Sequence, residues 1–100
     1  METQASDGET VPEYNYAKGL PTLIAVRVNT KADMSQVIAG ILELTNVENV
    51  YKVTGDIDVI AVVRTFTSSA LNTVIESIRA LPGVMKTNSY LVLQEFNKDL

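Results

Sequence analysis

The chain contains no cysteine, no histidine and no tryptophan. The first two absences remove disulfides, thiolate zinc sites, cysteine nucleophiles, histidine general bases and histidine-ligated haem. An enzyme built on these 100 residues would depend on Asp, Glu, Lys, Arg, Tyr, Ser or Thr alone. Positive charge is also sparse: eight Lys and Arg stand singly against twelve Asp and Glu. Phosphate neutralisation needs clustered cations, so direct nucleic-acid binding is not expected. No run approaches the roughly 18 apolar residues of a membrane span. The start, Met1-Glu2-Thr3-Gln4, lacks the basic and apolar regions of a signal peptide. A soluble cytoplasmic protein without membrane contact is the expectation.

Apolar residues are plentiful, at 46% of the chain, which is enough for the core of one domain. The charge is lopsided. Glu2, Asp7, Glu9 and Glu13 against Lys18 put −3 of the net −4 into residues 1–18. Residues 1–20 have no apolar periodicity and read as an acidic mobile tail, with Tyr14 and Tyr16 as its only aromatic residues. Residues 21–97 read as the folded domain.

Leu23-Ile24-Ala25-Val26-Arg27-Val28 is short and β-branched, which favours a strand. Met34, Val37, Ile38, Ile41 and Leu42 repeat at helical spacing and predict a helix over 33–44. Asp33 is its N-cap and Gln36 is placed to reach back as in a capping box. Strands follow at 47–53 and 59–63. Thr67-Ser68-Ser69 caps a second helix with a stripe of Leu71, Val74, Ile75, Ile78 and Leu81, which Pro82-Gly83 stops. A last strand runs over 84–95. This β-α-β-β-α-β order, with a weak repeat between Leu23–Val26 and Val59–Val62, predicts a ferredoxin-like α+β fold. Its four-stranded antiparallel sheet carries both helices on one face.

Strands one and three are apolar at both parities. Leu23 and Ala25 oppose Ile24, Val26 and Val28, and Ile60 and Val62 oppose Val59, Ala61 and Val63. Half-solvated antiparallel strands alternate, whereas strands covered on both faces read this way. A second subunit, sheet against sheet, is therefore expected over the face without helices.

The polar segment Thr54-Gly55-Asp56-Ile57-Asp58 links strands two and three. Gly55 suits a turn, its neighbouring backbone N–H groups suit an anion, and Asp56 or Asp58 suits an ammonium. Thr87 and Ser89, two apart on a strand, present hydroxyls on one face. Each also has a purely structural reading: Gly55 and Asp56 as turn formers, Asp58 as a strand opener, Thr87 and Ser89 as β-formers. Asp56-x-Asp58 lacks the further oxygen ligands of a Ca²⁺ or Mg²⁺ site, so neither metal nor cofactor is expected.

Val50-Tyr51-Lys52-Val53-Thr54-Gly55-Asp56-Ile57-Asp58 and Ser77-Ile78-Arg79-Ala80-Leu81-Pro82-Gly83-Val84-Met85-Lys86-Thr87-Asn88-Ser89, correctly placed in this element order, resemble the ligand-sensing (RAM) domain of Lrp/AsnC feast/famine transcription regulators. The resemblance runs from Leu23 to about Glu95. It implies a dimeric α/β barrel, octameric rings of dimers, and amino acids bound between dimers. Carried over by position, the ligand-binding residues are Gly55, Asp56, Ile57, Asp58, Thr87 and Ser89. The resemblance also implies a non-enzymatic role in regulating transcription, through assembly or through pairing with a full-length regulator. Two positions depart from the family pattern: Ile57 stands where many relatives have an aromatic residue, and Ser89 replaces the commoner Thr. Only about twenty unpatterned residues precede the first strand, so a sensing domain without a helix-turn-helix part is expected. Two alternatives share the element order. A small monooxygenase-like dimeric α/β-barrel enzyme needs a proton-transfer group that the strands do not offer. An ACT-like amino-acid-binding module usually has a glycine in the link after strand one, and Asn29-Thr30-Lys31-Ala32-Asp33 has none.

Overall fold

A computed structural model describes residues 19–96 and Lys98. The acidic segment with Tyr14 and Tyr16 lies outside the described residues. Six elements follow in the expected order: β1 (Leu20–Val28), α1 (Met34–Leu42), β2 (Val47–Lys52), β3 (Val59–Thr65), α2 (Ser68–Arg79) and β4 (Val84–Leu91). The strands form one antiparallel sheet in the order β2-β3-β1-β4, so the two strands that are apolar at both parities are the central pair.

Period-2 alternation divides the central strands between two faces. Ile24, Val26 and Val28 from β1 and Val59, Ala61 and Val63 from β3 are buried against Val37 and Ile41 of α1 and Val74 and Ile78 of α2. Burying each such Val or Ile contributes about 1.5–3 kcal/mol, so this single layer supplies most of the driving force. Thr22 is fully buried on the same face, and its hydroxyl has no hydrogen-bond partner among the described residues.

Both helices start as expected. Asp33 accepts from the Ser35 backbone N–H at 3.0 Å, and Thr67 accepts from that of Ala70 at 3.0 Å. The capping box at α1 is not completed: Asp33 bonds two residues on, and the Gln36 side chain makes no return bond. Leu42, at the margin of the expected stripe, is exposed; Leu44, in the link to β2, packs on the core instead. Helix α2 ends at Arg79, ahead of Pro82-Gly83. Gly83 has φ +96° and passes so close to Ala32 that a side chain there would meet the Ala32 methyl. The Gly83 carbonyl also accepts from Asn29 N–H at 2.8 Å. The Leu-Pro-Gly-Val turn thus clamps the β4 entry onto the β1–α1 link.

Among the described residues the opposite sheet face carries no helix. Leu23 pairs with Val62 on one side and Tyr90 on the other, and Ala25 pairs with Ile60 and Asn88; Tyr51 extends the second row across Ile60. Leu23 is 37% exposed, Tyr51 53% and Tyr90 58%.

Candidate functional site

The link between β2 and β3 is a loop rather than a two-residue hairpin. Val53 N–H donates to the Asp58 carbonyl at 2.9 Å, which leaves Thr54, Gly55, Asp56 and Ile57 outside the ladder. Gly55 has φ +121° with open space where a Cβ would point, so it serves backbone shape and not close packing. The N–H groups of Gly55, Asp56 and Ile57 have no partner among the described residues.

Asp58 is tied into the scaffold at three points. Its N–H donates to the Val26 carbonyl at 3.0 Å, its carbonyl takes Val53 N–H, and its Oδ2 accepts from Val28 N–H at 2.8 Å. The carboxylate therefore satisfies a part-buried backbone donor where β1 runs past β3. Asp56 is exposed. Its carbonyl accepts from the Arg27 guanidinium, which fixes Arg27 against the loop.

Two hollows flank the loop. One, of about 600 Å³, lies on the sheet face without helices and is lined by Ala25, Arg27, Asp56, Ile57, Met85, Lys86, Asn88 and Tyr90. The other, of about 490 Å³, lies at the strand ends and includes Asn29, Gly55, Asp56 and Asp58. Arg27, Asp56 and Met85 border both. The loop residues Gly55, Asp56, Ile57 and Asp58 are thus brought together.

Thr87 and Ser89 are placed elsewhere. They pair with Val26 and Ile24, on the helix-bearing side of edge strand β4, and line neither hollow. Within one copy, β1 and the sheet itself separate them from the loop. The residues of β4 that do meet the loop hollow are Lys86, Asn88 and Tyr90, at the opposite parity, with Met85 at the register shift beside Val28. Sequence reasoning passed over Lys86, Asn88 and Tyr90. The parity of the 87 and 89 pair was the signal: two strand residues on one face imply that 86, 88 and 90 occupy the other.

Arg27 and Lys86 are direct cross-strand partners. By contrast, Arg64 forms an ion pair with Glu48 at 2.8 Å, and Arg79 meets Glu76 at 3.5 Å. Among the described residues no group of three or more His, Cys, Asp or Glu side chains is close enough to hold a metal, and no helix is long and apolar enough to cross a membrane.

Comparison with known proteins places this geometry. The family model of the Lrp/AsnC ligand binding domain matches residues 22–99. The HTH-type transcriptional regulator LysM of Sulfurisphaera tokodaii is 34% identical over 82 residues, covering 82% of this chain but 59% of the regulator. A homocitrate synthase of Sulfolobus acidocaldarius is 32% identical over 78 residues, which is 78% of this chain and 17% of the synthase. Among solved structures, E. coli AsnC superposes with a TM-score of 0.75 at 19% identity, over 97% of this chain and 66% of that one. The regulator NMB0573 of Neisseria meningitidis, solved in complex with L-Met, superposes with a TM-score of 0.72 at 20% identity, over 98% and 62%. At such identities these two structures establish the fold alone. The sequence relatives and the family model establish more: with its β-α-β-β-α-β order, its Gly55 loop and its Leu81-Pro82-Gly83-Val84 turn, the chain belongs to the Lrp/AsnC ligand-binding domain family.

Proposed function

We propose that this domain is a non-enzymatic sensor. It binds a free amino acid at a subunit boundary, and occupancy shifts the assembly state of the protein or of the partner regulator with which it associates. The observation that carries the reading is the sheet face left without helices. Leu23, Ala25, Ile60, Val62, Tyr51 and Tyr90 make it a continuous apolar and aromatic surface, and the loop hollow opens at its edge. A twofold partner laid on this face covers the apolar rows and closes the hollow. Amino-acid binding at a boundary is then coupled to assembly, because a ligand shifts such an equilibrium by its differential affinity for the two states. In this reading the Gly55–Asp58 loop works at that interface, whereas the Thr87 and Ser89 hydroxyls, on the helix-bearing side, meet a loop only through a further contact between dimers. The L-Met bound by the NMB0573 structure supports an amino acid as the ligand class.

The two kinds of relative bear on the partner. A matching segment makes up 59% of a helix-turn-helix regulator and 17% of a homocitrate synthase, at 34% and 32% identity. A module found in such different settings is suited to reporting a ligand rather than to reading DNA or performing the synthase chemistry. The protein controlled is a transcription regulator in the first reading and a metabolic enzyme in the second, and a cytoplasmic location fits both.

Sedimentation with and without each of the twenty amino acids, alongside thermal shift, tests the proposal. The expected result is a dimer or larger assembly at micromolar concentration and a raised Tm with a subset of amino acids, since a ligand of the folded state stabilises it by mass action. A stable 10.9 kDa monomer that responds to none of them at millimolar concentration defeats it.

A further inference from the structure

The loop hollow holds a charge arrangement that the fold does not explain. Arg27 on β1 and Lys86 on β4 are paired across the ladder, and both line the same hollow. Like charges directly opposite each other destabilise a sheet. An acidic chain with twelve carboxylate side chains has ample means to neutralise them, as it does for Arg64 with Glu48. Yet among the described residues neither cation has a carboxylate partner, and the Lys86 side chain has no hydrogen-bond or ion-pair partner. Arg27 is held by the Asp56 carbonyl, so its guanidinium is positioned while its other N–H donors remain available. Around the pair stand the small Ala25, the apolar Ile57 and Met85, and the polar Asn88 and Tyr90. Asp56 borders the same space.

We infer that this hollow selects an acidic ligand: a small amino acid with a second carboxylate, seated between Arg27 and Lys86 with its ammonium toward Asp56. The inference rests on the sensing function proposed above and adds the ligand class. Charge matching decides it. Two cations and the Asp56 side chain leave the first hollow one unit positive, the Asp58 carboxylate of the adjoining hollow being engaged by Val28 N–H, and a dicarboxylic amino acid carries one net negative charge. A neutral amino acid leaves that unit uncompensated, and a basic one adds to it. The guanidinium and ammonium act as charge-assisted donors to carboxylate oxygens, with the planar Arg27 fork suited to a bidentate contact. The free N–H groups of Gly55 and Asp56, in the adjoining hollow that shares Arg27, offer donors to the other carboxylate.

Titration calorimetry on the full chain with L-glutamate, L-aspartate, L-glutamine, L-leucine and L-lysine tests the inference. L-Glutamate or L-aspartate is expected to bind at least about tenfold more tightly than L-glutamine, and to weaken as NaCl is raised. Lys86→Gln is expected to remove that preference, while Lys52→Gln, an equal change in net charge outside both hollows, leaves it intact. Lys86→Glu provides a second readout that needs no ligand. It places an acid opposite Arg27, so Tm rises in the free protein and the response to L-glutamate disappears. Equal binding of L-glutamine and L-glutamate, or an unchanged L-glutamate affinity in Lys86→Gln, overturns the inference while leaving amino-acid sensing intact. If none of the five ligands binds, the inference is overturned, and the thermal shift across all twenty amino acids decides whether the sensing reading falls as well. If Lys86→Gln dissociates the assembly and L-glutamate has no effect on the parent protein, the cations serve a neighbouring subunit's carboxylate and the inference is refuted.

Discussion

Replacing Gly83 by alanine isolates the contact that holds the β4 entry to the rest of the fold. The added methyl carbon would stand 2.4 Å from the Ala32 Cβ, where carbon atoms ordinarily approach to about 3.5–4.0 Å. More than 1 Å of separation must therefore open between two pieces of chain. Neither moves freely: Asn29 N–H bonds the Gly83 carbonyl at 2.8 Å, and Ala32 N–H bonds the Asn29 carbonyl at 2.9 Å. Overpacking of this kind costs about 1–3 kcal/mol. A left-handed φ of +96° adds roughly 1–2 kcal/mol for a residue with a Cβ, partly offset by about 0.4–1 kcal/mol from a less flexible unfolded chain. The expected loss is about 3 kcal/mol, a fall in Tm of roughly 15 °C for a domain of this size. Gly55→Ala is the control. Its φ of +121° is as unfavourable, but nothing lies within 4 Å of the new methyl, so only about 1 kcal/mol is expected. Urea unfolding followed by circular dichroism, at one fixed protomer concentration, measures both. Combining Gly83→Ala with Ala32→Gly removes the collision and leaves the strain, so a double-mutant cycle should return a coupling of roughly 1–2 kcal/mol. A Gly83→Ala loss no larger than that of Gly55→Ala, or a coupling near zero, refutes the claim that close approach to Ala32 constrains this glycine.

Four further outcomes follow from the same structure. Thr22→Val removes the buried hydroxyl that has no partner and keeps the β-branched shape, so stability should rise by about 1 kcal/mol in urea unfolding. Asp58→Ala strips the acceptor from Val28 N–H and should cost about 1–3 kcal/mol in the same assay; Asp58→Asn, which keeps an oxygen there, should cost less. Thr67→Ala removes the N-cap of α2, with an expected loss of about 1 kcal/mol seen in the thermal midpoint. Leu23→Lys, in the middle of the face without helices, should leave a folded chain by circular dichroism but shift the sedimentation profile to the monomer.

Much of the fold was legible along the chain because its signals are local. Asp33 and Thr67 marked helix starts, Pro82-Gly83 marked the break after α2, and the two apolar periods separated helices from strands. The family motifs were equally readable, since Gly55 and Gly83 each occupy a backbone position that a side chain resists. Gln36 departs from its expected role for a local reason, since Ser35 N–H donates to Asp33 and no capping box forms, and Leu42 for a tertiary one, since the core ends short of the α1 margin.

The chain alone therefore determined the element order, the antiparallel α+β architecture and the doubly apolar central strands. Each follows from residue type and from periods of two or 3.6. Only the tertiary structure decided which polar residues share a space. Pairing of β1 with β3 and β4 joins residues 33 to 69 positions apart, and a change of one position in register exchanges the two faces of a strand. That pairing turned Thr87 and Ser89 toward the helix side, bound Asp58 to the backbone of β1, and set Lys86 beside Arg27 at the edge of the Gly55 loop.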